Sequence, residues 1–470
     1  MGKKELKNIP LFPTDQDVDQ IESGSSLING VINRAGSITG RPGLKEFVNL
    51  GGNPIDELFY WKTKKLLFGF SNGNIYKINE NREITDITGD KLEGGLRPNI
   101  TSNRDYFFAA NGGRVIYSKG DANTAFHPDS DAPTKVSQLA YYYNYLLMNN
   151  LDIENRVHFS EVSAPLSINP VDRVTSPIND NLKAIKLVGD DLLYQGENIS
   201  ERWQAATDYT GVKTFEKLRG IIIKRGGTSA PNSFVEADTY YWLNQNREIV
   251  ALIEGQVKIV SIPINSILKT FPKVDDTFAI HMPLENRFMT IFGFPSAGRV
   301  FCDEYMTKTW SEWTWWNLTR VRNERWLGNC GVFIPEWNKY FVGSRRNGKI
   351  YEMSFDYNDD DGDAIRTEIV TPFIDHGFSG LMQDEKIILK FKRGFNVSPK
   401  AKLMFQFRNS GKSGWSNERT YSFGEIGQTE YSIVITSTGE HRGRQYKFSW
   451  TGAVGTIFVG AQALVNFKGF

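Results

Sequence analysis

Between about Leu58 and Phe355 one alternation of apolar and polar positions recurs seven times. A short aromatic or aliphatic run leads into a Gly/Asn turn, and a second, alternating run follows. The copies open at Leu66-Leu67-Phe68-Gly69-Phe70, Tyr106-Phe107-Phe108-Ala109-Ala110, Tyr145-Leu146-Leu147-Met148, Leu192-Leu193-Tyr194, Tyr240-Tyr241-Trp242-Leu243, Phe288-Met289-Thr290-Ile291-Phe292 and Tyr340-Phe341-Val342-Gly343. Asn74-Ile75-Tyr76-Lys77-Ile78 and Lys349-Ile350-Tyr351-Glu352-Met353 are typical second runs. Runs this short, aromatic and β-branched, broken by Gly and Asn, read as strands joined in hairpins. Their spacing of about 40 to 50 residues is that of a four-stranded propeller blade. The visible hairpin is the most regular pair of each blade, and the more variable sequence between copies supplies the other two strands. A β-propeller of six to eight blades is the expected scaffold, because a closed ring leaves few open strand edges.

The flanking regions read differently. Residues 1–50 are turn-rich (Pro10, Pro13, Gly24, Asn29-Gly30, Gly40-Arg41-Pro42-Gly43). They are expected to form an extended N-terminal arm that crosses the scaffold and completes a blade or touches a neighbour. At Pro42-Gly43 a tight turn is expected, with Pro fixing φ and Gly accepting a positive one. Residues 51–355 are the propeller. The run 356–364 holds Asp356, Asp359, Asp360, Asp361 and Asp363 without an apolar anchor, so it reads as a solvated acidic linker. Its alternating aspartates do not make an EF-hand, which needs Gly and Glu where Ala364 and Val370 stand. Residues 365–470 carry new strand patterns, such as Ile387-Ile388-Leu389-Lys390-Phe391 and Tyr446-Lys447-Phe448-Ser449-Trp450, which suggest a C-terminal β-sandwich. The expected fold class is therefore all-β, with helix scarce.

Composition narrows the function classes. At 40% hydrophobic and 23% charged residues this is an ordinary soluble globular chain. The 55 Lys and Arg against 54 Asp and Glu leave a net charge of +1, without the basic excess of a protein that grips nucleic acid. Cys302 and Cys330 are the two cysteines, so no disulfide framework is expected and assembly in a reducing cytoplasm is; whether the two pair is open. Met1 to Leu6 lacks the apolar core of a secretory leader, and no apolar run reaches about 18 residues, so membrane insertion is not expected.

Candidate chemistry is sparse. The five histidines stand at no metal-ligand spacing, and no nucleophile elbow, Walker loop or dinucleotide fingerprint occurs. No catalytic, metal or cofactor residue is assigned, and enzymatic activity is not expected. Trp310, Trp313, Trp315 and Trp316 fall within seven residues. They either fill the space between blades or form an aromatic anchor for a partner, since Trp is enriched at interface hot spots. Arg320, Arg322 and Arg325 form one basic cluster, and Arg345 and Arg346 with Lys349 another. Both are either solvated surface or, where they line a channel, contacts for passing DNA phosphate.

Several of these segments match a known family in order and spacing. They are the turn Gly40-Arg41-Pro42-Gly43, and Asp190-Asp191-Leu192-Leu193-Tyr194 followed by Asn198-Ile199-Ser200-Glu201-Arg202-Trp203. The stretch from Gly220 through Gln256-Val257-Lys258-Ile259-Val260-Ser261 belongs with them, as does Gly443-Arg444-Gln445-Tyr446-Lys447-Phe448 before Ile457-Phe458-Val459. Together they resemble the tail nozzle, or packaged-DNA stabilisation, proteins of short-tailed bacteriophages over nearly the whole chain. The resemblance implies a structural virion protein of the tail and not an enzyme. It implies a ring of six copies below the portal and its adaptor ring, which closes the channel after packaging and conducts double-stranded DNA on ejection without reading its sequence. A tail needle or fibres would attach nearby. The Trp310 to Trp316 cluster and the aspartate run have no counterpart in the resemblance. The alternative reading is a glycan-binding or glycan-cleaving propeller of a phage tail, and cleavage would need two carboxylates at a defined separation. No Trp-Asp dipeptide or double-glycine signature recurs at the repeat period, which disfavours a WD40- or kelch-like module.

Overall fold

The structure is a computed structural model, and it describes residues 3–12, 18–153, 155–175, 180–207, 213–285, 287–393, 401–423, 430–451 and 456–469. Five self-contained four-stranded antiparallel sheets follow one another along the chain, over 57–86, 99–126, 139–175, 184–224 and 235–259. Two further four-stranded units, over 278–312 and over 328–354 joined by Gly43–Asn49, are parts of larger sheets. These are blades 1 to 7 of a β-propeller. The hairpins legible in the sequence are the second and third strands of the blades, such as Leu66–Ser71 with Asn74–Ile78 and Lys339–Ser344 with Lys349–Ser354.

The alternation of side chains explains why those middle strands stand out. Successive residues of a strand point to opposite faces, and here each face meets a neighbouring blade. Leu67 enters the core between blades 7 and 1, while Phe68 and Phe70 enter the core between blades 1 and 2. A separate buried cluster fills each of the seven blade interfaces. Both faces of a middle strand are therefore apolar, which produces an unbroken hydrophobic run. The first strand of each blade lies innermost, and several of these first strands touch their counterparts in the next blade. Outer strands such as Ile84–Asp86 are exposed throughout and carry almost no hydrophobic signal.

Blade 7 takes its outer strand, Gly43–Asn49, from the N-terminal segment, which pairs antiparallel with Lys349–Ser354. The glycine that opens this strand answers to space rather than to φ, since Gly43 lies outside the positive-φ region. A Cβ there would sit 2.4 Å from the Asp359 carbonyl oxygen and 2.5 Å from that of Tyr357. Both are backbone atoms that cannot rotate away. Gly43→Ala is expected to cost about 1–3 kcal/mol, as overpacking does, read as a lower midpoint in denaturant.

The C-terminal region is a sandwich, and the N-terminal segment is built into it. One sheet contains Gly30–Ile32, Ile38–Gly40, Thr456–Gly469, Leu381–Arg393 and Glu430–Thr436, with Lys3–Ile9 and Glu440–His441 paired to its long strands. The facing sheet contains Ser26–Ile28, Arg366–Val370, Arg444–Thr451, Lys402–Asn409 and Arg419–Ser422. Ser26–Ile28 also pairs in parallel with Thr309–Glu312, so this second sheet continues into blade 6. Phe405, Phe448, Ile387, Leu389, Ile435 and Val465 belong to the core between the sheets. A buried polar group locks them together. Asp384 of the first sheet accepts from Arg444 (2.8 Å) and Tyr446 (2.7 Å) of the second, and lies 3.0 Å from His441 Nε2.

The acidic run corrects the expectation of a solvated linker. Asp359–Asp360 and Asp363–Ala364 pair as a small hairpin against Gly43–Asn49, and Asp360 is 1% exposed. Its carboxylate receives two bonds from Arg41, at 2.9 and 2.5 Å, while Asp361 takes Lys349 and Asp363 takes the Trp315 indole. Each aspartate of this alternation is spoken for by a separate protein donor. A charge-dense run can thus be anchored by one buried cation, Arg41, brought from more than 300 positions away.

Candidate functional site

The most distinctive polar arrangement lies on the propeller axis. Glu57 heads the first strand of blade 1, and Arg97 precedes that of blade 2; they form an ion pair at 2.8 Å. The Arg97 guanidinium also reaches across the axis. It donates to the Asn329 carbonyl of blade 7 and lies 4.4 Å from the ring centroid of Phe278, at the head of blade 6. Lys186, in the first strand of blade 4, lies close enough to feel the Glu57 charge. Contacts between blades three places apart mean that side chains fill the axis. What remains is a cavity of about 230 Å³ whose walls include Glu57, Arg97, Lys186, Asn232, Phe234 and Ile280. With Arg97 in contact with Asn329 and Phe278 across the axis, no path is left for duplex DNA.

Burial shifts the charges around this cavity. Desolvation drives the Lys186 ammonium down to about 8, with Glu57 opposing. Arg325 is pushed down to about 9, first by burial and then by the like charges of Arg345 and Arg97. Both shifts have the sign expected of cations removed from water without a full counter-charge.

The structure separates the five arginines singled out by sequence. Arg325 stands at the axial mouth, 5.4 Å from the Phe278 centroid, donating to Asn329 Oδ1 at 3.1 Å. Arg345 braces it from behind by donating to the carbonyls of Arg325 (2.8 Å) and Trp326 (3.0 Å). Arg320 and Arg322 lie on a hairpin, Thr314–Asn317 with Arg322–Arg325, inserted between blades 6 and 7, where they share Glu324 at 3.3 Å. Arg346 is exposed and lies over the Trp315 ring at 4.5 Å. They do not form one basic surface.

The tryptophans resolve in favour of packing. Trp310 belongs to the core between blades 5 and 6, and Trp313 and Trp315 to that between blades 6 and 7. All three are buried; Trp316 is half-buried with Arg366 stacked 4.9 Å from its ring. Of the two readings of this cluster, Trp310, Trp313 and Trp315 take the space-filling one, and their burial leaves them no face for a partner. At the tip of the hairpin that carries Trp315 and Trp316, Leu318 is 62% and Val321 71% exposed.

A second titratable group lies between blades 5 and 6. The strand register places His281, Thr290, Asp303 and Trp310 side by side across blade 6. Burial, with Glu304 and Asp238 adding like charge, pushes the Asp303 carboxyl up to about 8. Asp238 in turn accepts from Tyr241 at 2.9 Å. Cys302 and Cys330 are both free and buried, and burial raises both thiols. Among the described residues no group of three or more His, Cys, Asp or Glu is arranged to hold a metal, and no helix is long and apolar enough to cross a membrane.

Sequence reasoning missed Glu57, Arg97 and Lys186. One signal was present: Lys186 interrupts the otherwise apolar run Ala184-Ile185-Lys186-Leu187-Val188. A lone cation there is expected on an inner strand only when it faces a cavity or a partner charge.

No family model matches the chain, and no curated protein does. Solved structures with a similar course include a streptogramin B lyase (TM-score 0.43, 11% identity, covering 67% of this chain and 98% of that one). A catalytically inactive virginiamycin B lyase from Staphylococcus aureus with quinupristin gives 0.41 at 13% identity, covering 67% and 99%. An auxiliary nutrient binding protein from Bacteroides thetaiotaomicron gives 0.36 at 11%, covering 75% and 77%. Similarity at this level transfers no ligand or activity. What the chain itself shows is an all-β propeller whose terminal sandwich is woven into it.

Proposed function

We propose that this chain is a structural, non-enzymatic subunit of a phage tail nozzle, one copy of a ring whose lumen lies between copies. The observation that carries the reading is where the family-like segments fall in the fold. Gly40-Arg41-Pro42-Gly43 delivers Arg41 to buried Asp360, Asn198 to Trp203 delivers Arg202 to Asp191, and Gly443 to Phe448 delivers Arg444 to buried Asp384. All three segments carry an arginine held by an aspartate, across distant parts of the chain for Arg41 and Arg444 and across one hairpin of blade 4 for Arg202, so the resemblance concerns how the scaffold is braced. A subunit retaining pressurised DNA needs such bracing. Because the propeller axis is filled, a DNA path requires several copies closing by rotation through a heterologous interface.

The reading is tested by single-particle imaging of the protein mixed with DNA-filled, tail-less phage heads. A six-fold ring capping the portal vertex, with the propeller axes off the central lumen, is expected. Heads that stay uncapped at saturating protein, or turnover of a cell-surface polysaccharide by the purified chain, would overturn it.

A further inference from the structure

The axial cavity has the makings of a ligand site that the scaffold reading leaves unused. Its walls combine two cations, Arg97 and Lys186, with one carboxylate, Glu57, already paired to Arg97. Among the described residues no carboxylate or carbonyl lies within hydrogen-bond or ion-pair reach of Lys186 Nζ, which stands 5.9 Å from the Phe234 ring centroid. Behind Arg97, Arg325 Nε is buried with no acceptor. Asp56 and Asp276 act on this group only at longer range, through Arg97 and Arg325. The ring therefore holds positive charge on its axis that protein groups do not neutralise one for one.

A cation withdrawn from much of its water with no counter-ion beside it is costly, and an opposite charge within about 4–6 Å restores its charged form; Lys186 is half-buried on the cavity wall. The space is sufficient, since a cavity of roughly 150 Å³ already admits benzene. Asn232 adds an amide to the rim, while Phe234 and Ile280 offer an apolar wall for a short carbon body.

We propose that the axial cavity binds a small anion, a phosphate or carboxylate group seated between Lys186 and Arg97, which ties blades 2 and 4 together across the axis. The site does not depend on the nozzle reading: a monomeric propeller would bind the anion equally.

The test uses the full chain with its lysines reductively methylated with carbon-13, the Lys186 signal being assigned by its loss in Lys186→Arg. Inorganic phosphate and succinate are titrated separately, each against potassium chloride at matched ionic strength. One of them should move the Lys186 signal saturably at millimolar concentration or below and raise the melting temperature. A response to phosphate alone assigns a phosphate group, and a response to succinate alone a carboxylate. Lys186→Met should melt higher than the wild type without added anion, since a half-buried charge without a protein counter-ion is gone, and should lose the anion-dependent rise. A signal that follows chloride equally, or an anion response that survives in Lys186→Met, would overturn the proposal.

Discussion

Arg41→Met is expected to lower stability by about 3–5 kcal/mol, the cost of leaving one partner of a buried ion pair alone. Arg41 is 2% exposed and Asp360 1%, so water cannot replace the lost guanidinium. The side chain also donates to Asn29 Oδ1 (2.9 Å), the Pro42 carbonyl (3.0 Å) and the Thr314 carbonyl (2.9 Å). It thus joins the N-terminal segment, the base of the hairpin between blades 6 and 7, and the acidic turn. These are the elements that connect propeller to sandwich. Denaturant unfolding of Arg41→Met should show a lower midpoint, and a double variant with Asp360→Asn should recover much of the loss by removing the orphaned charge. A double variant no better than Arg41→Met would mean that the carbonyl contacts, not the charge pair, carry the effect.

Asp303→Asn should do the opposite and stabilise the protein, by roughly 2–4 kcal/mol at pH 7. The folded carboxyl titrates at about 8, whereas in an unfolded chain the value is about 3.9. The unfolded state therefore releases the proton first. As pH rises from about 4 to about 8 the native state loses stability, at about 1.4 kcal/mol per pH unit in the limit of full linkage. Above the folded value there is no further loss. Asn keeps the shape and removes this slope, so the gain should be larger at pH 8 than at pH 5. Equal gains at both pH values would show that Asp303 ionises normally and that its burial carries no electrostatic cost.

Much of this architecture was legible in one sequence. The seven hairpins were visible because each middle strand packs against two blades, so Leu67, Phe68 and Phe70 are all apolar despite alternating faces. The sandwich strands were visible for a related reason, with one face buried, as in Lys402–Asn409. Local composition thus determined the strands, the repeat and the all-β class. It did not determine closure of the ring, because Asn49 pairs with Lys349 across 300 positions and neither strand announces its partner.

The candidate sites were less legible. Five arginines close in sequence split into an exposed pair, Arg320 and Arg322 on Glu324, a partly buried pair, Arg325 braced by Arg345, and Arg346 over the Trp315 ring. Three of the four clustered tryptophans went inside, and the acidic run took Arg41 as its anchor. Glu57, Arg97 and Lys186 meet only because seven blades converge on one axis. Hydrophobic periodicity is a property of neighbouring residues and can be read along the chain. Which charge meets which is decided by the tertiary structure, because desolvation makes a buried cation and carboxylate seek each other wherever along the sequence they happen to stand.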